Sequence, residues 1–168
     1  MTTKLYYSLM AALARLPGPI ASCFPGSHHF LATCVGVTDG DTFPVGDERR
    51  HYPGIRIMGL DAPELAQPYG RAAKAALSEL VLHKEVHVVP AGVDKYGREL
   101  AVLRQNSVIG QLDVAETMIS NGHAFSWGGA HYKAQEYAAA HRLGVWSDLR
   151  YQERPWLYRR RMALERVE

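Results

Sequence analysis

Ile55-Arg56-Ile57-Met58-Gly59-Leu60-Asp61-Ala62-Pro63-Glu64 carries the chain out of a strand and into a break. Ile55, Ile57 and Gly59 fall on one face of an extended chain, Arg56 and Met58 on the other. The pattern extends back to His51 and predicts a strand over 51–60. Asp61-Ala62-Pro63-Glu64 ends it, because Pro63 fixes its own φ and holds Ala62 away from helical geometry. Beyond the break, 68–82 reads as a helix. Ala72, Ala73, Ala76, Leu77 and Leu80 recur at helical spacing, and Pro68 suits a first turn.

Upstream, 30–37 is rich in small, aromatic and β-branched residues and predicts a strand ending at Asp39-Gly40. A second strand follows over 41–45, then a charged turn over 46–50. Downstream, Val86 and Val88 alternate with His87 and Val89, predicting a strand over 85–90. Asp94–Gly97 is a turn, and 98–105 a fifth strand. Helices are expected over 110–121, closed by Gly122, and over 130–143, closed by Gly144, since glycine suits a left-handed helix cap. The order β-β-β-α-β-β-α-α predicts a mainly β, α+β fold: a five-stranded Greek-key barrel of OB type with three helices.

The 168 residues suffice for one domain with a real core. No apolar run approaches the ~20 residues of a spanning helix. Charge is unevenly spread. Residues 1–23 carry Lys4 and Arg15 and no acid, 24–149 carry 11 Lys and Arg against 14 Asp and Glu, and 150–168 carry six Arg against three Glu. A passive nucleic-acid binder usually has a basic footprint. This body is slightly acidic, so affinity for nucleic acid would lean on a bound cation, on local arginines or on the tail.

The expected organisation is a leader and linker over 1–29, a domain over 30–149 and a basic tail over 150–168. In the leader, Lys4 precedes the apolar stretch Leu5–Ala14, as in a signal peptide. Ile20-Ala21-Ser22-Cys23 resembles a bacterial lipobox, with Cys23 as the acylated, membrane-anchoring residue. Arg15, Pro17 and Pro19 interrupt the apolar region. Export, whether periplasmic, secreted or lipid-anchored, is the expectation; a short amphipathic helix on an intracellular protein is the alternative. Cys23 and Cys34 are too few for a disulfide scaffold and read as free thiols. The eight histidines are scattered and suggest no metal site.

Three phrases carry chemistry: Asp39-Gly40-Asp41-Thr42, Arg56 to Glu64, and Asp94-Lys95-Tyr96-Gly97-Arg98. Asp39 and Asp41 share a face in extended chain, and Asp61 closes a strand. Such oxygens suit a hard cation with open water positions, although Asp-Gly-Asp is also an ordinary hairpin turn. Glu64 stands three residues beyond Asp61. Beside a cation-bound water it could act as a base; equally, it could favour a helix N-terminus. Arg56 and Arg98 could grip phosphate oxygens bidentately, or pair with nearby acids as half-exposed sheet residues.

Taken together, with Gln67-Pro68-Tyr69-Gly70, Asn121-Gly122-His123-Ala124-Phe125 and Leu143-Gly144-Val145-Trp146 in the same order, these phrases resemble the staphylococcal nuclease family. The resemblance covers 30–148. It implies an OB-type barrel with three helices and a Ca²⁺-dependent phosphodiesterase. Such an enzyme cuts DNA and RNA with little sequence preference and leaves 3′-phosphate ends. It further implies that Asp41 and Asp61 ligate calcium directly, with the backbone carbonyl of Ala62 and with Asp39 in an outer shell. Arg56 and Arg98 would bind phosphate, Glu64 would be the general base or water-orienting group, and Lys95 and Tyr96 would contact nucleotide phosphate. Ala62 and Ala115 depart from the family's usual Thr and Asn. The base-stacking tyrosines have no clean match. Trp127 could serve, since any aromatic face can stack a base, whereas Phe125 is expected in the core.

The rivals are a non-catalytic OB module that binds nucleic acid or protein and a structural calcium protein; the second leaves both arginines unexplained. The expected enzyme is a monomer acting on DNA or RNA. In the tail, Tyr158-Arg159-Arg160-Arg161 reads either as added phosphate contacts or as a solvated extension.

Overall fold

The computed structural model describes residues 29–46, 51–94, 96, 98–108 and 110–166. Five strands form a closed ring. Strand β1 (Phe30–Cys34) pairs antiparallel with β2 (Thr42–Gly46), and β2 with β3 (His51–Ile57). On its other edge β1 pairs antiparallel with β5 (Glu85–Val93), and β5 with β6 (Glu99–Ser107). A parallel β3–β6 pairing, Ile55 against Glu99 and Ile57 against Ala101, closes the barrel. The expected α+β, OB-type five-stranded barrel is therefore present.

Two smaller pieces extend it. Strand β7 (Gly110–Asp113) continues the sheet from β6, and β4 (Leu60–Asp61) pairs with β8 (Phe125–Ser126). Four helices rather than three lie among the described residues: α1 (Gly70–Val81), α2 (Val114–Ser120), α3 (Tyr132–Ala140) and α4 (Pro155–Glu165). The fourth occupies the basic tail.

The alternation read from sequence becomes the barrel interior. Phe43, Val45, Ile55, Ile57, Val86, Val88, Ala101 and Leu103 are buried, and Ala73, Leu77 and Val81 of α1 join them from outside the ring. Burial of the Val, Leu, Ile and Phe side chains among these contributes roughly 1.5–3 kcal/mol each. Ala115 is buried in this cluster through α2, and Phe125 is buried as expected.

Several boundaries move for local reasons. The third strand stops at Ile57 because Gly59 takes a φ of 88°, which glycine adopts freely. Leu60 and Asp61 leave in a new direction as β4. The first helix starts at Gly70 rather than at 68. Tandem turns, Gln67 N–H to Glu64 C=O (2.8 Å) and Gly70 N–H to Gln67 C=O (2.9 Å), precede it. Residues 110–113 pair with β6 instead of opening the second helix, and Asp113 caps that helix by accepting from the Glu116 N–H at 3.0 Å. Cys34 is a buried free thiol. Cys23 and the rest of the leader lie outside the described residues. Among those residues no helix is long and apolar enough to cross a membrane.

Candidate active site

Barrel closure gathers the three phrases into one cleft. Asp39, Asp41, Arg56, Asp61, Ala62, Glu64, Tyr96, Arg98 and Trp127 all line it. Only Lys95, among the sequence-predicted site residues, lies outside the described set.

Arg56 is the centre of the arrangement. It projects from β3 between buried Ile55 and Ile57, on the opposite face of the strand. Its Nη1 donates to Asp41 Oδ1, and its Nη2 to Asp61 Oδ1 at 2.8 Å. One guanidinium thus ties together two carboxylates that are almost wholly buried. Burial of unpaired carboxylates would be very costly.

Asp41 is held on every side. Its Oδ2 accepts from the Ala62 N–H at 3.1 Å, and its Oδ1 from the Thr42 hydroxyl at 2.9 Å. Asp39 Oδ1 accepts from the Asp41 N–H at 3.0 Å. The approach depends on Gly40, where a Cβ would lie 2.6 Å from the Ala62 Cβ and 2.9 Å from the Ala73 Cβ. Burial, and then the charge of Asp41, push the Asp39 carboxyl up to about 6. Burial also raises Asp61, against the opposing pull of Arg159 and Arg56. Asp39, Asp41 and Asp61 thus stand close together in the cleft, with Arg56 bridging the last two.

Arg98, before β6, has its own partner. Its Nε and Nη2 each lie 2.8 Å from Asp94 Oδ2, its Nη1 lies 3.4 Å from the Thr42 hydroxyl, and its guanidinium lies over the Tyr96 ring at 5.5 Å. Burial pushes Asp94 up, but the N–H groups of Arg98 and Tyr96 and the Arg98 side chain outweigh it and hold the carboxyl below its ordinary range. Arg98 is a third exposed and Tyr96 stands out at the rim. Trp127 is also exposed, and its backbone N–H donates to the Gly59 carbonyl at 3.0 Å.

Arg159, which the sequence offers only as a possible phosphate contact in the tail, enters the cleft itself. From α4 it reaches back to Glu64 Oε1 (2.5 Å) and Asp61 Oδ2 (3.1 Å). Pro155 in the first turn of α4 was a legible helix signal. The contact across nearly a hundred residues was not.

Residues 54–148 match the family described as Staphylococcal nuclease homologue, and the chain belongs to that family. Among its relatives is the Micrococcal nuclease of Shigella flexneri, 33% identical over 148 residues, spanning 81% of this chain and 84% of that protein. An Uncharacterized endonuclease of Haemophilus influenzae is 34% identical over 119 residues, spanning 69% of this chain and 67% of its own length. Protein ParB of Escherichia coli is 29% identical over 181 residues, spanning 100% of this chain and 99% of its own. These likenesses support a nuclease function acting on nucleic acid.

Proposed function

We propose that the chain is a Ca²⁺-dependent nuclease that hydrolyses phosphodiester bonds of DNA or RNA with little sequence specificity and leaves 3′-phosphate ends. The observation that carries this reading is the Asp41–Arg56–Asp61 bridge, with Glu64 and Arg98 lining the same cleft.

The donor chemistry fits a hard cation. Asp39, Asp41 and Asp61 supply oxygen only, and the raised carboxyls of Asp39 and Asp61 mark a place where added positive charge is favourable. Among the described residues no three His, Cys, Asp or Glu side chains form a ready-made metal cluster. Asp41, Asp61 and the Ala62 carbonyl would hold the ion directly, with Asp39 behind them and water completing the shell. When bound, calcium would supply Lewis-acid polarisation of the phosphodiester.

The remaining roles fall to side chains. Glu64, half-buried and free to exchange its Arg159 contact, orients the attacking water and accepts its proton. Arg56 and Arg98 face the charge that develops on the equatorial phosphate oxygens. The water oxygen bonds to phosphorus as the bond to the 5′-oxygen breaks; the 5′-oxygen takes a proton from solvent and leaves as a hydroxyl, and the phosphate stays on the 3′ side. Tyr96 and Lys95 contact neighbouring phosphate, and Trp127 offers a stacking face.

The test is cleavage of supercoiled plasmid and single-stranded DNA by the purified protein, with Ca²⁺ and then with excess chelator. Calcium-dependent cutting to 3′-phosphate ends is expected. Binding without cutting in both conditions would move the chain to the non-catalytic OB class.

A further inference from the structure

Helix α4 lies wholly beyond the segment that matches the family, 54–148. It has no apolar stripe to bury, yet it is firmly placed. Pro155 is buried at its start, and the Arg154 guanidinium lies over the Phe125 ring at 4.5 Å and over that of Trp146 at 5.7 Å. Just before the helix, the Glu153 carbonyl accepts from Gln67 Nε2 at 2.6 Å. The helix is thus tied to the nuclease domain through its first turn.

What it turns toward the cleft is specific. Trp156, Arg159 and Arg160 stand at i, i+3 and i+4, which places them on one face, and all three line the same cleft as Trp127. Trp156 is 44% exposed and Trp127 42%. Two half-exposed indoles in a cleft of carboxylates and arginines leave apolar ring surface open to a stacking partner. The neighbouring Arg161, by contrast, is absorbed by Glu153 (2.9 Å) and Glu165 (3.2 Å). Arg159 connects this face to the chemistry by touching Asp61 and Glu64.

We propose that the Trp156–Arg159–Arg160 face is a second substrate subsite for an unpaired polynucleotide strand. Arg160 and Arg159 take backbone phosphates flanking the scissile one, and Trp156, with Trp127 lining the same cleft, stacks a base. Indole stacking requires a base free of its duplex partner, so the subsite favours single strands or frayed ends. It rests on the nuclease reading and adds to it a binding face that lies outside the family segment.

The experiment is binding of a labelled single-stranded DNA oligonucleotide, and of the matching duplex, to the full chain in excess chelator over a range of salt. Trp156→Ala should weaken single-strand binding by about ten-fold or more and leave duplex binding nearly unchanged. Arg160→Gln, an exposed change that spares the fold, should weaken binding and reduce the slope of log K against log salt by about 0.7. Unchanged single-strand affinity and slope in both variants, with wild-type binding and calcium-dependent cleavage intact, would overturn the subsite alone. Equal loss on duplex and single strand would overturn the unpaired-base assignment. A wild-type chain that neither binds single strands nor cuts them with calcium would overturn the nuclease reading beneath it.

Discussion

Asp39 is a carboxylate in a place that resists its charge, since burial and Asp41 push it up to about 6. Between its ordinary value near 4 and about 6, the folded protein holds a proton that the unfolded chain has released. Without bound cation, stability therefore falls as pH rises through that window, and the penalty persists above it. Asp39→Asn, which can still accept from the Asp41 N–H, should raise Tm at pH 8 in chelator and flatten the pH 4–6 slope. A lower Tm at pH 8 would contradict the assignment. Among the arginines, Arg56 is the poorer probe, because its loss strands two buried carboxylates. Arg98 is a third exposed and has a separate partner in Asp94, so Arg98→Ala tests chemistry more cleanly. Its turnover should fall by about 10²–10³-fold with the fold intact; near-normal kcat with calcium present would remove Arg98 from the site. The candidate residues were legible as three acid- and arginine-bearing phrases. That one guanidinium bridges Asp41 and Asp61 was not, because the first of those partners is fifteen residues away.

At the scale of elements, sequence spoke clearly wherever periodicity was local. The alternation of Val86 with Val88 and of Ile55 with Ile57 marked strands that do face the core. It was less informative at boundaries set by pairing or backbone handedness. Gly59 redirects the chain into β4, and β6 recruits residues 110–113 as strand β7. Helix α4 had a proline start signal, but its lack of an amphipathic face hid where it would dock. Its consequence is measurable through Arg159, whose charge lies 3.1 Å from Asp61. Arg159→Gln should tighten calcium binding in a calorimetric titration without substrate, because a competing cation is removed. Weaker binding would mean that Arg159 organises the carboxylates rather than competing for them.

For the whole molecule, the parallel β3–β6 seam is the decisive feature, since it places Arg56 opposite Leu100, two residues beyond Arg98. No short-range pattern encodes that register; it is set when the ring closes over its apolar interior. Stability and chemistry should accordingly separate. Leu77 packs from α1 against the barrel, away from the charged cleft, and Leu77→Ala should cost about 2–5 kcal/mol in urea unfolding. Cleavage per folded molecule should be unchanged; a loss beyond the unfolded fraction would mean that the cleft depends on this core contact. The central claim, that the acids and arginines gathered by the barrel hydrolyse phosphodiesters, turns on Glu64. The deciding measurement is the single-turnover cleavage rate of Glu64→Gln on single-stranded DNA at saturating calcium. We predict a fall of about 10²–10⁴-fold with calcium affinity nearly unchanged. A rate near that of the wild-type chain would contradict the account.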